Sequence, residues 1–131
     1  MPMLTSYFVR KQKSSMGMED VFLSLSKGKG LSDESPVFDL WIYKNGHILY
    51  NGIENVEKKG KIKSSIPFDI LNRIEEIIND YDSNDIGEIK GRDNPLNMMK
   101  FNGKKIVYQS NRLQGNLLEL NNLLELIAEN I

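Results

Sequence analysis

The stretch from residue 35 to residue 52 constrains the fold of this chain most strongly, because it reads as a complete β-hairpin. Two runs rich in apolar, β-branched and aromatic residues, 37–43 and 47–50, flank the pair Asn45-Gly46. An Asn-Gly pair can supply the two positive-φ residues that a type I′ turn requires, and the twist of that turn matches the twist of the strands it joins. The sequence therefore predicts an antiparallel hairpin with a two-residue turn.

A two-residue turn sets the register of this hairpin and, with it, the face of the sheet on which each side chain lies. The predicted cross-strand pairs are Ile42 with Leu49 and Leu40 with Asn51 on one face, and Tyr43 with Ile48 and Trp41 with Tyr50 on the other. If the first face packs against helices, the second gathers three aromatic rings and an isoleucine. We call this second group the predicted aromatic face: Trp41, Tyr43, Ile48 and Tyr50.

Two further stretches show apolar residues at helical spacing. From Phe68 onward this spacing predicts an amphipathic helix over about 67–81, with Pro67 tolerated in its first turn. A leucine stripe that follows Gly115 predicts a second helix over about 116–129.

Additional strands are predicted from alternation and turn residues. Alternating apolar and small polar residues predict a strand over 21–26, and a less regular pattern favours a strand over 4–10. Lysines around a glycine indicate an edge strand within 55–63. A second hairpin is predicted around Asn102-Gly103, with Met99 opposite Ile106 and Lys100 opposite Lys105.

The order of these elements predicts the fold class. Short connections between strands favour an antiparallel sheet, and the two helices must cover its apolar face. We therefore expect one α+β domain over 1–131, with about five to seven strands and both helices on one face of the sheet, and with residues 1–20 as a loosely attached strand or arm. The predicted core side chains are Phe38, Leu40, Ile42, Leu49, Leu71, Ile74, Ile78, Leu117, Leu120, Leu124 and Ile127.

Charge and composition narrow the classes of partner. Seventeen Lys and Arg residues against 18 Asp and Glu give a net charge of -1, so no overall field favours nucleic acid or an anionic membrane. The segment 67–95 is locally acidic, with eight acidic and three basic residues. The sequence has no cysteine, which fits a reducing compartment. We expect a cytoplasmic protein that does not bind membranes, and the balanced charge disfavours nucleic acid as its partner.

The central hairpin resembles a family of bacterial domains of unknown function. Members of that family read roughly Cys-Pro-x-[Tyr/Phe]-x-[Leu/Val]-x-Ile-Tyr-x-[Asp/Asn]-Gly-x-[Val/Ile]-x-Tyr-x-Gly, then a Val, a Gly and an amphipathic helix. The matching residues here begin at Pro36 and end at Gly52, followed by Val56 and Gly60. Ser35 stands where the family usually has Cys, so no thiol-based role is carried over. The resemblance implies a fold and no activity.

Residues that could carry chemistry do not form a recognisable catalytic pattern. The run 80–85 begins like an EF-hand loop, but it has Asp85 at the sixth position and Gly91 at the twelfth, where such a loop needs Gly and Glu. His47 is the single histidine of the sequence, so no second histidine can share a metal ion with it. No sequence motif identifies a serine as a nucleophile that His47 would activate. We therefore expect no enzyme activity, no cofactor and no metal site.

The predicted aromatic face is the main candidate for function. Trp and Tyr dominate binding hot spots, so this face predicts a surface for a protein partner or for self-association as a homodimer. The competing structural explanation is that the N-terminal segment, with Tyr7, Phe8 and Val9, covers it. A nucleic-acid stacking platform ranks third because the charge is balanced.

These features predict a class of function. The sequence favours a small non-catalytic accessory protein, bacterial or phage-like, that binds protein as immunity and inhibitor proteins do. The alternative is a sequestering or sensing domain with a ligand pocket between the sheet and the helices. A deep pocket lined by Trp41 or Tyr50 with converging Lys or Arg side chains would favour that alternative.

Overall fold

A computed structural model describes residues 20–31, 34–91 and 94–131 of the chain. Six strands form one antiparallel sheet in the order β4-β3-β2-β1-β5-β6. The strands are β1 (Val21–Lys27), β2 (Val37–Tyr43), β3 (His47–Glu54), β4 (Gly60–Ser65), β5 (Asn97–Phe101) and β6 (Lys104–Tyr108). The helices are α1 (Phe68–Asp80), which lies between β4 and β5 in the chain, and α2 (Gly115–Glu129), with short 3-10 turns at Ser83–Asp85 and Ser110–Arg112. The α+β fold class predicted from the sequence is confirmed.

Both helices pack on one face of the sheet, which we call the inner face. The apolar stripe of α1 buries Leu71, Ile74, Ile77 and Ile78, and that of α2 buries Leu117, Leu120 and Leu124. These side chains join one core cluster with the inner face of the sheet. On the solvent side, Arg73 of α1 donates to Glu119 of α2 through Nε at 2.9 Å and Nη2 at 2.6 Å. The periodicity in the sequence therefore located both helices to within one residue at each end.

The second hairpin, β5–β6, has the predicted register. Met99 lies opposite Ile106 and Lys100 opposite Lys105. The turn residues Asn102 and Gly103 have φ values of 51° and 74°, the positive values that a two-residue type I′ turn requires.

The central hairpin, β2–β3, does not have the predicted register. Ile42 lies opposite Ile48, so the loop contains three residues, 44–46, and not two. Only Gly46 of the loop has positive φ, at 90°, and its N–H donates to the Tyr43 carbonyl at 2.9 Å. This is the pattern of a three-residue hairpin loop with glycine in the left-handed position.

The observed register keeps a polar residue out of the core. The predicted two-residue register would place Asn51 opposite Leu40, facing the helices. The three-residue loop instead places Tyr50 opposite Leu40 and pairs Asn51 with Asp39 on the other face. Because a slip of one residue exchanges the two faces of a strand, burial of apolar side chains from β3 decides the loop length.

Leu49 changes face with this register, and a few further predictions differ from the structure for other reasons. Leu49, predicted in the core, lies on the outer face and is partly buried, and Ile127 is only partly buried against the core. The predicted edge strand is an edge strand, but it begins at Gly60 and runs to Ser65. The predicted strand over 4–10 lies outside the described residues.

Within the described part of the chain, neither helix combines the length and apolar character that a bilayer span requires.

Candidate functional site

The outer face of the sheet carries one cross-strand row that spans all six strands. Neighbouring members of this row are partners in the strand pairing, so their side chains project on the same side. We call it the outer row, and from β4 to β6 it reads Lys63, Leu49, Trp41, Ser24, Lys100 and Lys105. Its centre is apolar and aromatic, and its two ends are lysines.

The structure separates the four residues of the predicted aromatic face. Trp41 and Tyr43 lie on the outer face, where both are partly buried. Ile48 and Tyr50 lie on the inner face, each 3% exposed, inside the core. The prediction of one four-residue face is therefore wrong, because it rested on the two-residue turn. The central hairpin is also flanked by β1 and β4, so it has no free edge.

The outer face is basic. The row beside the outer row runs Lys61, Asn51, Asp39, Ser26, Met98 and Val107. Together the two rows hold four lysines and one aspartate, and the aspartate accepts a hydrogen bond from the Ser26 hydroxyl. The exposed side of α1 is acidic, with Asp69, Glu75, Glu76 and Asp80 against Arg73. The net charge of the chain is close to zero, but its charges are separated: basic groups lie on the outer face of the sheet and acidic groups on the helix side.

On the inner face, Tyr50 holds the loop between β3 and β4. Its ring packs on Phe38 at a centroid distance of 5.6 Å, and its hydroxyl donates to the Lys58 carbonyl at 3.1 Å. Burial raises the pKa of the Tyr50 phenol. A Cβ on Gly52 would lie 2.0 Å from that same carbonyl oxygen, so only glycine lets the loop come this close.

A cleft of about 500 Å³ opens beside this loop, between the sheet and α2. Its apolar lining comes from Pro36, Phe38, Tyr50, Val56 and Ala128, and its polar lining from Asn55, Glu57, Lys58, Glu125 and Glu129. Tyr50 therefore lines a pocket, as the ligand-binding alternative expects, whereas Trp41 lies on the opposite face of the sheet. Among the residues that the structure describes, one lysine and no arginine line the cleft.

A buried polar cluster lies next to the cleft. Lys27 is 6% exposed, and its ammonium group contacts Glu125 Oε2 at 2.6 Å and Ser110 Oγ at 3.0 Å. Glu125 Oε2 also accepts from Asn121 Nδ2 at 3.0 Å, and the Tyr108 hydroxyl donates to Asn121 Oδ1 at 2.7 Å. Each buried polar group thereby has a partner, as burial demands.

Sequence reasoning missed this cluster. The strand predicted over 21–26 ends one residue before Lys27, but Lys27 is the last residue of β1 and lies in register with Phe38 and Asn97. The alternation of β1, in which Leu23, Leu25 and Lys27 share a face, was the one sequence pattern that could have predicted the burial of Lys27.

Within this cluster, burial raises the pKa of Tyr108 well above its usual range, and the nearby Glu125 carboxylate adds to that increase.

His47 and the acidic run 80–85 lie apart from the outer row and the cleft. His47 is exposed at the start of β3. In the acidic run, Asp82 caps the following 3-10 turn by accepting from the Asn84 N–H at 2.9 Å. Among residues 20–31, 34–91 and 94–131, no group of three or more His, Cys, Asp or Glu side chains could hold a metal ion.

Comparisons of the sequence with known proteins and protein families identify the family of this chain. No curated protein matches the chain in sequence. A family model described as a domain of unknown function, DUF6438, matches residues 23–130, which include every strand from β2 onward, both helices and most of β1. The chain therefore belongs to the DUF6438 family of domains.

Proposed function

We propose that this chain is a non-catalytic accessory domain that acts by binding an acidic protein through the outer face of its sheet. The observation that carries the proposal is the outer row, in which Trp41 and Leu49 lie between lysines. Binding sites between proteins commonly place aromatic and apolar groups at the centre and charged groups at the rim. Aromatic side chains supply most of the affinity, and rim charges supply orientation and association rate.

Charge favours a different protein over a second copy of this chain. An isologous dimer through this face would bring the lysines of one copy against those of the other. Like charges across an interface oppose association, whereas an acidic surface complements them.

The same face fits nucleic acid less well. The lysines of β4 and β5 are separated by four strand spacings, about 19 Å, so they do not border one narrow groove. Asp39 also lies between them and would repel phosphate. A single strand needs a continuous basic channel beside its stacked bases.

Capture experiments with matched variants test this proposal. The full chain, Trp41→Ala and the double variant Lys63→Glu/Lys100→Glu are used as baits in lysate of the source organism. Phe68→Ala and Lys90→Glu are the controls, because Phe68 is 71% exposed and Lys90 is exposed, and neither lies on the strands that form the outer face. We expect an acidic protein whose capture survives both controls and nuclease treatment. Trp41→Ala should weaken its binding by about 2 kcal/mol or more.

Three outcomes would contradict the proposal. Loss of capture after nuclease treatment would assign the face to nucleic acid. A dimer in light scattering that Trp41→Ala dissociates would assign it to self-association. A monomer whose melting temperature falls sharply in Trp41→Ala, with no loss of binding, would make the tryptophan part of the core.

The residue-by-residue hairpin motif, with Ser35 at the position where the family usually has cysteine, stays a prediction.

A further inference from the structure

The cleft beside α2 is a second site, on the opposite side of the sheet from the outer row. We infer that it binds a small organic cation, an amine or guanidine attached to an apolar group. The volume of about 500 Å³ lies within the range of small-molecule sites, which combine an apolar lining with a few polar groups.

The charge of the cleft selects a cation. Among the described residues, three carboxylates line it, those of Glu57, Glu125 and Glu129, against the ammonium group of Lys58, which donates to the Ile131 carbonyl oxygen. Lys27 pairs with Glu125 from behind, so the surplus of negative charge lies with Glu57 and Glu129. Glu125 and Glu129 are one helical turn apart on α2 and therefore lie on the same side of that helix. In the described part of the chain, neither Glu57 nor Glu129 forms an ion pair, so both carboxylates are available to a ligand.

Glu125 is held in place from behind. Lys27 and Asn121 both contact its Oε2 atom, at 2.6 and 3.0 Å. Within the described residues no hydrogen bond reaches its other oxygen, Oε1, although the side chain is 31% exposed and lines the cleft. A carboxylate oriented by buried partners, with one oxygen left for a ligand, is preorganised to accept a hydrogen bond from an ammonium or guanidinium group.

The arrangement suits an organic cation and not a metal ion. The acidic side chains of the cleft do not converge closely enough to form a metal-ligand group among the described residues. Pro36, Val56 and Ala128 line its apolar side together with the rings of Phe38 and Tyr50, which are each only 3% exposed. The ligand therefore places its apolar group against this lining and its charge toward the carboxylates.

Calorimetric titration of the full chain tests this inference with three matched probes. Phenethylamine, 2-phenylethanol and phenylacetate share a ring and differ in charge, which is positive, neutral and negative at pH 7. We expect phenethylamine to bind about tenfold more tightly than 2-phenylethanol, and phenylacetate to bind weakest. Equal affinities, or tightest binding of phenylacetate, would overturn the inference.

Charge variants locate the bound amine. Glu129→Gln should weaken phenethylamine binding by up to about fivefold and leave 2-phenylethanol unchanged. Lys58→Met removes the competing ammonium group and should tighten amine binding by about twofold or more. Glu75→Gln, on the exposed side of α1, is the control and should change neither. An equal loss in Glu129→Gln and Glu75→Gln would mean that the amine responds only to overall charge, which would refute a site in the cleft.

Discussion

The two Asn-Gly hairpins carry the same turn dipeptide and form different loops. In β5–β6 both residues of the pair have positive φ, and the loop contains two residues. In β2–β3 only Gly46 of the pair has positive φ, and the loop contains three residues. The dipeptide permits a type I′ turn but does not impose it, because the faces of the flanking strands must also agree with burial.

The surroundings of the two turns also differ. The central turn is flanked by neighbouring strands: Lys44 N–H donates to the Asp20 carbonyl at 3.0 Å, and the Gly46 carbonyl accepts from Ile66 N–H at 2.9 Å. The turn of β5–β6 joins the edge strand β6 to its one neighbour. In the part of the chain that the structure describes, no backbone hydrogen bond from another element reaches the turn residues Asn102 and Gly103, so local turn preference and strand pairing agree at this edge. In the middle of the sheet, neighbouring strands help to choose the loop.

Truncation of Tyr50 gives the largest effect expected from this comparison. In the three-residue register Tyr50 is in the core, so Tyr50→Ala should lower the free energy of unfolding by about 3–5 kcal/mol. Trp41→Ala, on the partly buried outer face, should cost clearly less. Urea unfolding of both variants provides the measurement. A small loss in Tyr50→Ala, typical of an exposed side chain, would contradict the three-residue register.

Gly52 tests the same register from the far end of the hairpin. In the observed register an added Cβ would meet the Lys58 carbonyl oxygen at 2.0 Å and the Tyr50 hydroxyl at 2.7 Å. Gly52→Ala should therefore cost about 1–3 kcal/mol through overpacking. Gly60→Ala is the matched control, since its Cβ meets nothing within 4 Å and only its φ of 91° opposes the change. Thermal melts in which Gly52→Ala is as stable as the wild type would argue against the close approach.

The asparagines of the two turns should respond unequally. Asn102 has a φ of 51°, so Asn102→Ala forces alanine into the left-handed region at a cost of about 1 kcal/mol. Asn45→Ala removes a single exposed hydrogen bond, from His47 N–H to Asn45 Oδ1 at 3.0 Å, and should cost about 0.5 kcal/mol. Chemical denaturation of the two single variants compares them directly. Equal losses would mean that both turns are type I′.

The two buried tyrosines should make the folded chain less stable at alkaline pH, an effect that is absent at neutral pH. Each hairpin carries one on its inner face, Tyr50 and Tyr108, and burial raises the pKa of both. Above about pH 10 the unfolded chain loses phenol protons that the folded chain keeps, so stability falls as the pH rises, by up to about 1.4 kcal/mol per pH unit for each group. Denaturant midpoints between pH 8 and 11 should fall less steeply in Tyr108→Phe than in the wild type. An unchanged slope in that variant would contradict a raised pKa for Tyr108.

The candidate sites were predictable to different degrees. Trp41 and Tyr43 were correctly placed on the outer face, since alternation along one strand depends only on local sequence. Their assumed neighbours Ile48 and Tyr50 were not, because relating one strand to the next requires the register. A pocket between the sheet and the helices was an alternative prediction, but most of the lining of the cleft could not be predicted, since it brings β2, β3 and the loop after β3 together with α2, which lies about 70 residues further along the chain.

Local patterns in the amino-acid sequence were enough to predict the fold class, both helices, the strand β1 and the register of the β5–β6 hairpin. These features depend on apolar periodicity and on a turn at the sheet edge, both of which are local. Three further features required the folded structure: Tyr50 is a core residue, Lys27 is buried against Glu125, and lysines border Trp41 across the sheet. The reason is physical: burial and ion pairing depend on which strands and helices meet, and residues distant in sequence determine that jointly.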